Sequence, residues 1–519
     1  MCAADMLTGT VCDEITAAVR AAPDTRVVIN SDTAPDSTTV GELFDESSRV
    51  AAGLRALGVG PGDVVAVQLP NRRECFTAHA AIWLCGAVVL PIVPIYGPAE
   101  VAFIARQSGA KAIVLARSIR NRDAGPTLTA LADIPGLDLV ILAGDPLPGT
   151  VSYRELTDSA APGFAPAATT ARDRCLLVYT SGTTAQPKGV QHSHAGLLGE
   201  MASMDEMRGH PSETPMLSVF PAGHIAGTLG ILRMFCRAGT TVTMDAWNPE
   251  QAARLIAKYG VGSSAGAPIH LGGILDVAQR DGLDLSCLAE YTTGAAGVAG
   301  ALIRRAADFG IGAFRCYGSS EHPTISSGRP EDPLDKRADT DGRITPGTEV
   351  RIVDDDGRDV EAGAPGEIWT RGPELFDGYT DPRHTRAALA DGWFRTGDVG
   401  RLDTDGYLTI TDRKKDIIVR GGENISSKEV EDVLSTHPAI AEAAAVGAAD
   451  ETYGERVCAF VVVRDGGHFD LAAAAAHFTA AGLARQKTPE RIVIVPELPR
   501  TASGKVQKHV LRERLGEHH

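Results

Sequence analysis

The sequence lacks the patterns that mark several large classes of protein. Its nine cysteines include no C-x-x-C pair, which excludes a zinc ribbon and a dithiol redox centre. Acidic residues outnumber basic residues by 66 to 50, and the net charge of −16 disfavours nucleic acid and anionic membranes as partners. The first residues show no basic stretch before an apolar segment, so we expect no export signal. An odd number of cysteines without such a signal favours a reducing, cytoplasmic location.

A membrane-spanning helix is also not expected. The span that needs checking, residues 76–93, has no charged side chain but contains Gly86 and Pro91. These two residues divide it into a helix over 76–84 and a buried strand over 87–93, as in a protein core. The sequence therefore predicts no integral membrane segment.

The first half of the chain alternates strands with helices. This order predicts an α/β fold with doubly wound, mainly parallel sheets covered on both faces. The predicted helices are 39–57, 76–84 and 98–107, and the predicted strands are 64–69, 87–93 and 112–116. Residues 117–170 are interrupted by Pro, Gly and Asp and are predicted to be a surface excursion. At 519 residues the chain also exceeds what one core usually supports, so we expect two or more domains.

The second half changes character twice. It begins with predicted strands at 217–220, 241–244, 291–294 and 313–317, and a helix at 301–309. From Asp341, short strands with Asp-Gly and Gly-x turns predict a small antiparallel or β-barrel-like subdomain over about 341–411. The last part predicts a small α+β domain, with a helix over 427–434 capped by Ser427. Its other elements are strands at 439–446 and 457–463 and a helix at 471–483.

Residues 179–190 read Y-T-S-G-T-T-A-Q-P-K-G-V and follow a short apolar strand. Gly182 and Gly189 tolerate positive φ, so the loop can turn several backbone N–H groups towards one point. Hydroxyl groups and the Lys188 cation add further donors for phosphate oxygens. The string is not a Walker loop, because Lys188 precedes its glycine and no Ser or Thr follows it. We interpret it as a polyphosphate cradle.

Later motifs carry matching chemistry. In Tyr317-Gly-Ser-Ser-Glu321 the ring offers a stacking face, Ser320 a hydroxyl group for the α-phosphate, and Glu321 a hard oxygen ligand for Mg²⁺. Asp398 ends the string D-G-W-F-R-T-G-D and can accept both ribose hydroxyl groups, although an Asp after Gly is by itself usually a turn residue. Lys505 ends the octet L-P-R-T-A-S-G-K, where a lone lysine would otherwise be an exposed residue without a role.

These motifs, in this order, closely resemble the adenylate-forming superfamily, which contains acyl- and aryl-CoA synthetases, adenylation domains of peptide synthetases, and luciferases. The resemblance covers about residues 36–511. It implies ATP, Mg²⁺ and CoA as cofactors and substrates. It also implies a large N-terminal AMP-binding domain over 1–414 and a small mobile C-terminal domain over 415–519, hinged at Lys415. Family members usually have Thr in place of Ser320, and the hydroxyl group is kept.

The resemblance assigns roles residue by residue. Lys505 and His224 are the expected catalytic residues, although a lone His is more often a hydrogen-bonded core residue. The expected ATP and AMP ligands are Thr180, Ser181, Gly182, Thr183, Thr184, Lys188, Gly294, Ala295, Ala296, Tyr317, Gly318, Ser320, Asp398 and Arg413. The expected metal ligands are Glu321 and Thr184, and the expected CoA tunnel is lined by Gly421 and Gly422. The expected acyl pocket includes His224, Gly227, Gly266 and Gly318.

The reaction implied by the resemblance is the synthesis of an acyl-CoA. A carboxylate attacks the α-phosphate of ATP, pyrophosphate leaves, and the CoA thiol then displaces AMP. Lys505 is expected to stabilise the negative charge of the first step. Gly318 stands where acetate-specific relatives have Trp, and Gly227, Gly266 and Gly294 are also small, which predicts a medium-chain, alicyclic or aryl acid. The partners are therefore small molecules.

Several alternatives stay open. A peptide-synthetase adenylation domain would normally have Asp where this chain has Pro221, and no carrier domain follows. An acyl-AMP ligase that hands its product to a carrier-protein thiol would carry an insertion that residues 367–415 lack. The motifs do not exclude luciferase-like oxidation. A non-catalytic binder of nucleotides or acyl-adenylates would have no use for intact Glu321 and Lys505. The oligomeric state is open, with a homodimer among the options.

Overall fold

A computed structural model describes residues 9–161, 163–180, 187–208, 214–420, 423–450, 452–464, 466–481, 483–501 and 504–516. The described residues form two compact units. Unit 1 draws on Met1–Ala338, Gly342–Glu349 and Arg371–Leu389, and unit 2 on Asp339–Asp341, Val350–Thr370 and Ala390–His519. The two units are thus divided at residues other than 414/415. The predicted domain boundary at 414/415 stays a prediction.

Unit 1 contains two mainly parallel sheets, which confirms the predicted α/β class. The first has nine strands within the described residues, and its central strands pair in parallel. Its order is Arg343–Ile344, Ser326–Ser327, Gly312–Tyr317, Glu290–Thr293, Ser263–Gly266, Met216–Ser218, Thr241–Met244, Arg26–Asn30 and Asp36–Thr39. Antiparallel pairing occurs towards both edges, at Arg26–Asn30 with Asp36–Thr39 and at Gly312–Tyr317 with Ser326–Ser327.

The second sheet of unit 1 has eight strands in the described part of the chain. Its order is Gly378–Tyr379, Lys188–Ser193, Arg174–Thr180, Val88–Pro91, Val64–Gln68, Ala112–Ala116, Leu139–Ala143 and Val151–Ser152. The middle strands are parallel, and Val64–Gln68 is buried along its whole length, in agreement with the strand predicted from its apolar residues. The first two pairings of this order are antiparallel and carry the candidate phosphate loop.

Helices cover these sheets. Val40–Ala56 begins at Thr39, whose side chain and Glu42 form a reciprocal capping box, and it buries Leu43, Val50 and Leu54 against the core. The other helices of the described part of unit 1 are Val11–Ala21, Arg73–Leu84, Pro98–Ser108, Gly125–Leu131, Tyr153–Thr157, His194–Arg208, Ile225–Cys236, Pro249–Tyr259, Pro268–Asp281, Gly300–Asp308, Leu334–Asp339 (whose last residue is grouped with unit 2) and Pro382–Ala388. Within the described ranges, every helix is too short or too polar to span a bilayer.

The prediction that residues 117–170 form a surface excursion is wrong. Leu139–Ala143 pairs in parallel with Ala112–Ala116 and adds a strand to the second sheet. Its run Leu-Val-Ile-Leu-Ala is apolar, and Ile141 and Leu142 are fully buried. The strand was missed because turn residues are frequent on either side of it, and such residues flank buried strands as well as loops.

Unit 2 contains two smaller sheets, and both are largely antiparallel. One consists of Glu349–Val353, Gly366–Arg371, Trp393–Leu402, Leu389–Ala390 and Leu408–Arg413, of which the end residues Glu349, Arg371 and Leu389 are grouped with unit 1. The other consists of Glu423–Ile425, Ile418–Arg420, Gly454–Val463, Ile440–Asp450 and Arg491–Ile494, with a parallel pairing at Arg491–Ile494. The helices that accompany them are Ser427–Ser435, Leu471–Ala480, Arg485–Lys487 (a short 3₁₀ turn) and Lys508–Gly516.

The helix Ser427–Ser435 has a different cap from the predicted one. Its N-cap is Ser426, whose hydroxyl oxygen accepts from the Glu429 N–H at 3.1 Å. Ser427 is fully buried instead, where its hydroxyl group donates to Asp412 at 3.2 Å and accepts from the Lys508 ammonium group at 2.7 Å. Ser427 therefore joins the final helix to the Asp412 segment.

Candidate active site

Four adjacent parallel strands of the first sheet end at one edge. They are Met216–Ser218, Ser263–Gly266, Glu290–Thr293 and Gly312–Tyr317, and their pairing is continuous. In an open α/β sheet, ligands bind beyond the carboxyl ends of the strands. His224, Gly266, Gly294 and Tyr317 lie at or soon after these ends, so the topology brings the predicted adenine and acid residues to one edge.

The loop that leads to His224 is held by a residue that the sequence analysis missed. The Asn71 amide donates to the Phe220 carbonyl oxygen and accepts from the Ala222 N–H, both at 2.9 Å. Asn71 is buried, and it follows the central strand Val64–Gln68 of the second sheet. His224 then caps the helix Ile225–Cys236, with its own N–H donating to the Pro221 carbonyl oxygen at 3.1 Å.

The segment 294–296, which is among the expected ATP and AMP ligands, contains a residue in an unusual conformation. Ala295 has a φ of 64°, which few residues other than glycine adopt. It is exposed and directly follows Gly294, at the end of the strand Glu290–Thr293. Such backbone strain is concentrated at functional sites, since the surrounding structure must hold it in place. The observation favours a ligand-binding turn at Gly294, Ala295 and Ala296.

The glycines of the predicted acyl pocket do not leave open space where a side chain would begin. At each position a Cβ atom would collide with a neighbouring atom, so the expectation of open volume on that side is wrong. The atoms met first are the Pro221 carbonyl oxygen at Gly227, the Tyr291 hydroxyl oxygen at Gly266, the Cys316 sulfur at Gly294 and the Pro323 carbonyl oxygen at Gly318. These glycines let the backbone pack closely around the site.

The candidate phosphate loop joins two antiparallel strands. Thr180 and Lys188 are direct partners across Arg174–Thr180 and Lys188–Ser193, so both ends of the loop lie side by side. The predicted ligands Ser181, Gly182, Thr183 and Thr184 lie outside the described residues.

Gly189 has a different role from the predicted one. Its φ is not in the left-handed region. A Cβ atom there would lie 2.8 Å from the Thr380 methyl group, so glycine permits close strand packing.

The turn after Tyr317 is fixed by hydrogen bonds. The Ser319 N–H donates to the His322 carbonyl oxygen at 2.9 Å, and the His192 Nε2–H donates to the Ser320 carbonyl oxygen at 2.7 Å. His192 is fully buried, and burial lowers its pKa to about 4, so it is neutral near pH 7. The backbone around Ser320, a predicted α-phosphate ligand, is thus held from the strand that carries Lys188.

Glu321 is held at both its backbone and its side chain. Its carbonyl oxygen accepts from the Phe376 N–H at 2.8 Å, and its Oε1 accepts from the Tyr379 hydroxyl group at 2.7 Å. The Lys188 ammonium group lies 5.4 Å from the centroid of the same Tyr379 ring. Tyr379 is a second residue that the sequence analysis missed.

Unit 2 brings together the predicted ribose ligands. Asp398 and Arg413 are direct partners on antiparallel strands, and the Arg413 Nε lies 2.6 Å from the Asp398 Oδ1. Asp398 is buried, and its N–H donates to the Thr396 hydroxyl oxygen at 3.0 Å. The aspartate is therefore built into a strand pair, which differs from the isolated turn residue that a Gly-Asp sequence often gives.

Lys505, in unit 2, is exposed, and its backbone is hydrogen-bonded to Thr501. The Thr501 N–H donates to the Lys505 carbonyl oxygen at 2.7 Å, and the Lys505 N–H donates back to the Thr501 hydroxyl oxygen at 3.1 Å. The predicted hinge residue, Lys415, has its carbonyl oxygen bonded by Arg512 at 3.2 Å. The predicted CoA-tunnel residues Gly421 and Gly422 lie outside the described residues.

The described residues fit a metal that arrives with the nucleotide. Among them no group of three or more His, Cys, Asp or Glu side chains could hold a metal ion by itself. Mg²⁺ is commonly bound by one or two carboxylates together with substrate phosphates. Glu321, with one oxygen already oriented by Tyr379, suits that arrangement.

Comparison with known proteins identifies the family. The model of the AMP-binding enzyme family matches residues 15–380, and that of the AMP-binding enzyme C-terminal domain matches residues 429–505. The chain belongs to the AMP-binding enzyme family. The match to the main model covers most of unit 1, including the candidate phosphate loop and Glu321.

Similar proteins support the assignment over nearly full length. The medium-chain fatty-acid–CoA ligase of Escherichia coli (strain K12) is 34% identical and is covered to 88%, with 95% of this chain aligned. A 3-[(3aS,4S,7aS)-7a-methyl-1,5-dioxo-octahydro-1H-inden-4-yl]propanoyl:CoA ligase of Mycobacterium tuberculosis is 35% identical, with 95% of this chain and 97% of that protein covered. The solved O-succinylbenzoate coenzyme A synthetase of Bacillus subtilis, in complex with AMP, superposes with a TM-score of 0.84 at 25% identity, covering 97% of this chain and 98% of that one.

Proposed function

We propose that the protein is an AMP-forming acid–CoA ligase that makes an acyl-CoA through an acyl-adenylate. The observation that carries this proposal is the arrangement in unit 1 of a phosphate hairpin, Thr180 opposite Lys188, with Glu321 linked to the same strands through Tyr379. Full-length similarity to CoA ligases supports the reaction class. We also propose a cytoplasmic location, on the cysteine pattern alone.

In the first half-reaction, Mg·ATP is the substrate. Thr180 and Lys188 bind its phosphates, and Glu321 offers a carboxylate oxygen to the magnesium ion, which when bound neutralises phosphate charge. Asp398 and Arg413 bind the ribose, and the turn Gly294–Ala296 with Tyr317 receives the adenine. An oxygen of the acid forms a bond to the α-phosphorus and the bond to pyrophosphate breaks. Lys505 stabilises the charge that spreads over the reacting oxygens.

In the second half-reaction, the CoA thiol attacks the acyl carbon. A C–S bond forms, the C–O bond to the phosphate breaks, and AMP leaves with an oxygen that came from the acid. Following the family, Gly421 and Gly422 line the path of the pantetheine arm, and rotation about Lys415 exchanges them with Lys505. No protein nucleophile takes part, so positioning and electrostatics supply the catalysis.

The proposed acids are medium-chain, alicyclic or aryl carboxylic acids. Support comes from the relatives, whose names specify a medium-chain fatty acid, a ring-bearing propanoate and O-succinylbenzoate. The small size of Gly227, Gly266 and Gly318 does not support this proposal, because other protein atoms occupy the space where a Cβ atom would lie.

The direct experiment is incubation of the purified protein with Mg·ATP, CoA and a panel of acids from acetate to dodecanoate, benzoate and cyclohexanecarboxylate. Pyrophosphate release and thioester mass are measured together. We expect both products with one class of larger acids and little with acetate. Pyrophosphate with accumulating acyl-adenylate and no thioester would instead identify a ligase that serves a carrier protein.

A further inference from the structure

Tyr379 contacts two charged residues of the candidate nucleotide site at once. Its hydroxyl group donates to the Glu321 Oε1 at 2.7 Å, and its ring lies 5.4 Å from the Lys188 ammonium group. An ammonium group at this distance from an aromatic ring is attracted by the ring quadrupole. A single side chain therefore connects the predicted metal ligand with the predicted phosphate ligand.

The backbone holds Tyr379 in this place. The strand Gly378–Tyr379 pairs with Lys188–Ser193, so that Tyr379 lies opposite Val190, and the next N–H, of Thr380, donates to the Gly189 carbonyl oxygen at 2.8 Å. The Tyr379 N–H donates to the Thr385 hydroxyl oxygen at 2.9 Å. The side chain is buried, and its ring packs edge-on against Phe376 with centroids 4.9 Å apart. The ring and the hydroxyl group are thus set by the sheet.

The chemistry of the contact suits a carboxylate that must bind a cation. A neutral hydroxyl donor orients one oxygen of Glu321 without cancelling its negative charge, and it leaves the other oxygen for a ligand. The Tyr379 hydroxyl group lies 2.7 Å from the Glu321 Oε1, and a carboxylate oxygen can only accept, so the phenol is the donor. A lysine or arginine in that position would reduce the attraction between Glu321 and a metal ion.

We propose that Tyr379 is a positioning residue for Mg·ATP, which orients Glu321 towards the magnesium ion and keeps Lys188 beside it. The inference rests on the proposed function, because it takes Mg·ATP as the ligand of Glu321 and Lys188. It adds a residue with a specific role, because Tyr379 determines how much bound Mg²⁺ increases the affinity for ATP.

The experiment measures ATP binding by calorimetry with Mg²⁺ and with EDTA, for the wild type and for Tyr379→Phe. The ratio of the two dissociation constants reports the coupling between metal and nucleotide. Phe keeps the ring beside Lys188 and removes the hydroxyl group, so we expect the ratio to fall about tenfold, as for the loss of a hydrogen bond to a charged group. ATP binding in EDTA should be unchanged. An unaltered ratio in Tyr379→Phe would overturn the proposal.

Two further variants separate positioning from folding. Tyr153→Phe removes another buried hydroxyl group of unit 1, bonded to Thr77 at 2.7 Å, and should leave the ratio unchanged. Glu321→Gln should lower the ratio, and adding Tyr379→Phe to it should lower it no further, because both changes act on one contact. Additive losses would overturn the proposal. If Mg²⁺ and ATP binding behave as predicted in all variants but the wild type turns over no acid, the proposed function is contradicted and the role of Tyr379 is not.

Discussion

Two carboxylates in different units have similar chemistry but opposite partners. Glu321, in unit 1, accepts a hydrogen bond from the neutral Tyr379 hydroxyl group, whereas Asp398, in unit 2, pairs with the Arg413 cation at 2.6 Å. The first pair keeps a net negative charge and the second is close to neutral. A net charge suits a metal ion, while an oriented acceptor without excess charge suits hydroxyl groups. The partner of each carboxylate therefore supports the role proposed for it, which is the metal ion for Glu321 and the ribose for Asp398.

The largest expected effect concerns the charge of Lys505. Lys505→Ala should slow adenylate formation by about two to three orders of magnitude, as when a single transition-state donor is removed. Thioester formation from supplied acyl-adenylate should be nearly normal, because the charge is needed only in the first step. Rapid-quench assays of each half-reaction measure this, with the exposed Lys258→Ala as control. Equal losses in both steps would contradict the role.

Glu321→Gln tests whether charge, beyond the hydrogen bond, matters in unit 1. Gln still accepts from Tyr379 but has no negative charge, so we expect adenylation to fall by about 100-fold. The Mg²⁺ concentration for half-maximal rate should rise, and the KM of the acid should change little. Pyrophosphate release as a function of Mg²⁺ checks this. An unchanged Mg²⁺ dependence would remove the distinction between the two carboxylates.

Asp398→Asn should give a smaller effect of another kind. The amide has one acceptor oxygen and no charge, so the ribose hydroxyl groups lose a bidentate acceptor and Arg413 loses its ion pair. Since a hydrogen bond to a charged group contributes about 1.5–3 kcal/mol, the KM of ATP should rise by about 10-fold or somewhat more. The Mg²⁺ dependence should be that of the wild type. Steady-state kinetics with 2′-deoxy-ATP as a second substrate should show a smaller difference between variant and wild type.

Unit 1 contains another carboxyl group with a carboxylate neighbour, Glu374, and its environment affects the stability of the fold. Burial and the neighbouring Glu200 carboxylate raise the pKa of Glu374 well above its usual value. At a pH between the pKa of Glu374 in the unfolded state and its higher pKa in the folded state, the native protein holds a proton that the unfolded chain has lost. The free energy of unfolding therefore falls as pH rises through this range. Glu374→Gln should remove this fall, which is at most about 1.4 kcal/mol per pH unit.

Urea unfolding from about pH 5 to about pH 8 measures that difference, with the exposed Glu331→Gln as control. The gain of Glu374→Gln over the wild type should grow as pH rises. A constant difference across this range would show that Glu374 is ionised in the native state and would contradict the assignment.

The sequence predicted those parts of the site that are continuous in the chain. The strand before the candidate phosphate loop and the strand that ends at Tyr317 follow from apolar strings that are continuous in the chain. The α/β class follows from the alternation of elements. These features depend on interactions between residues that are close in the sequence.

The supporting residues could not be predicted because their partners are distant in sequence. Tyr379 meets Glu321 only after Gly378–Tyr379 joins the strand Lys188–Ser193, and Asn71 meets the loop before His224 across 149 residues. The glycines of the expected pocket were misinterpreted for the same reason. A small residue indicates close approach, but which chain approaches is decided by tertiary packing. The helix cap was assigned to Ser427 instead of Ser426 because a partner of Ser427, the partly buried Lys508, lies 81 residues later in the chain.

The most direct test of the account follows the oxygen atoms of the acid. The acid is labelled with oxygen-18 in its carboxylate group and incubated with the protein, Mg·ATP and CoA, and the products are analysed by mass spectrometry. An acyl-adenylate intermediate requires that one labelled oxygen leaves with AMP while the thioester keeps the other. Label in AMP would support the account. Label in pyrophosphate or inorganic phosphate, with none in AMP, would contradict it.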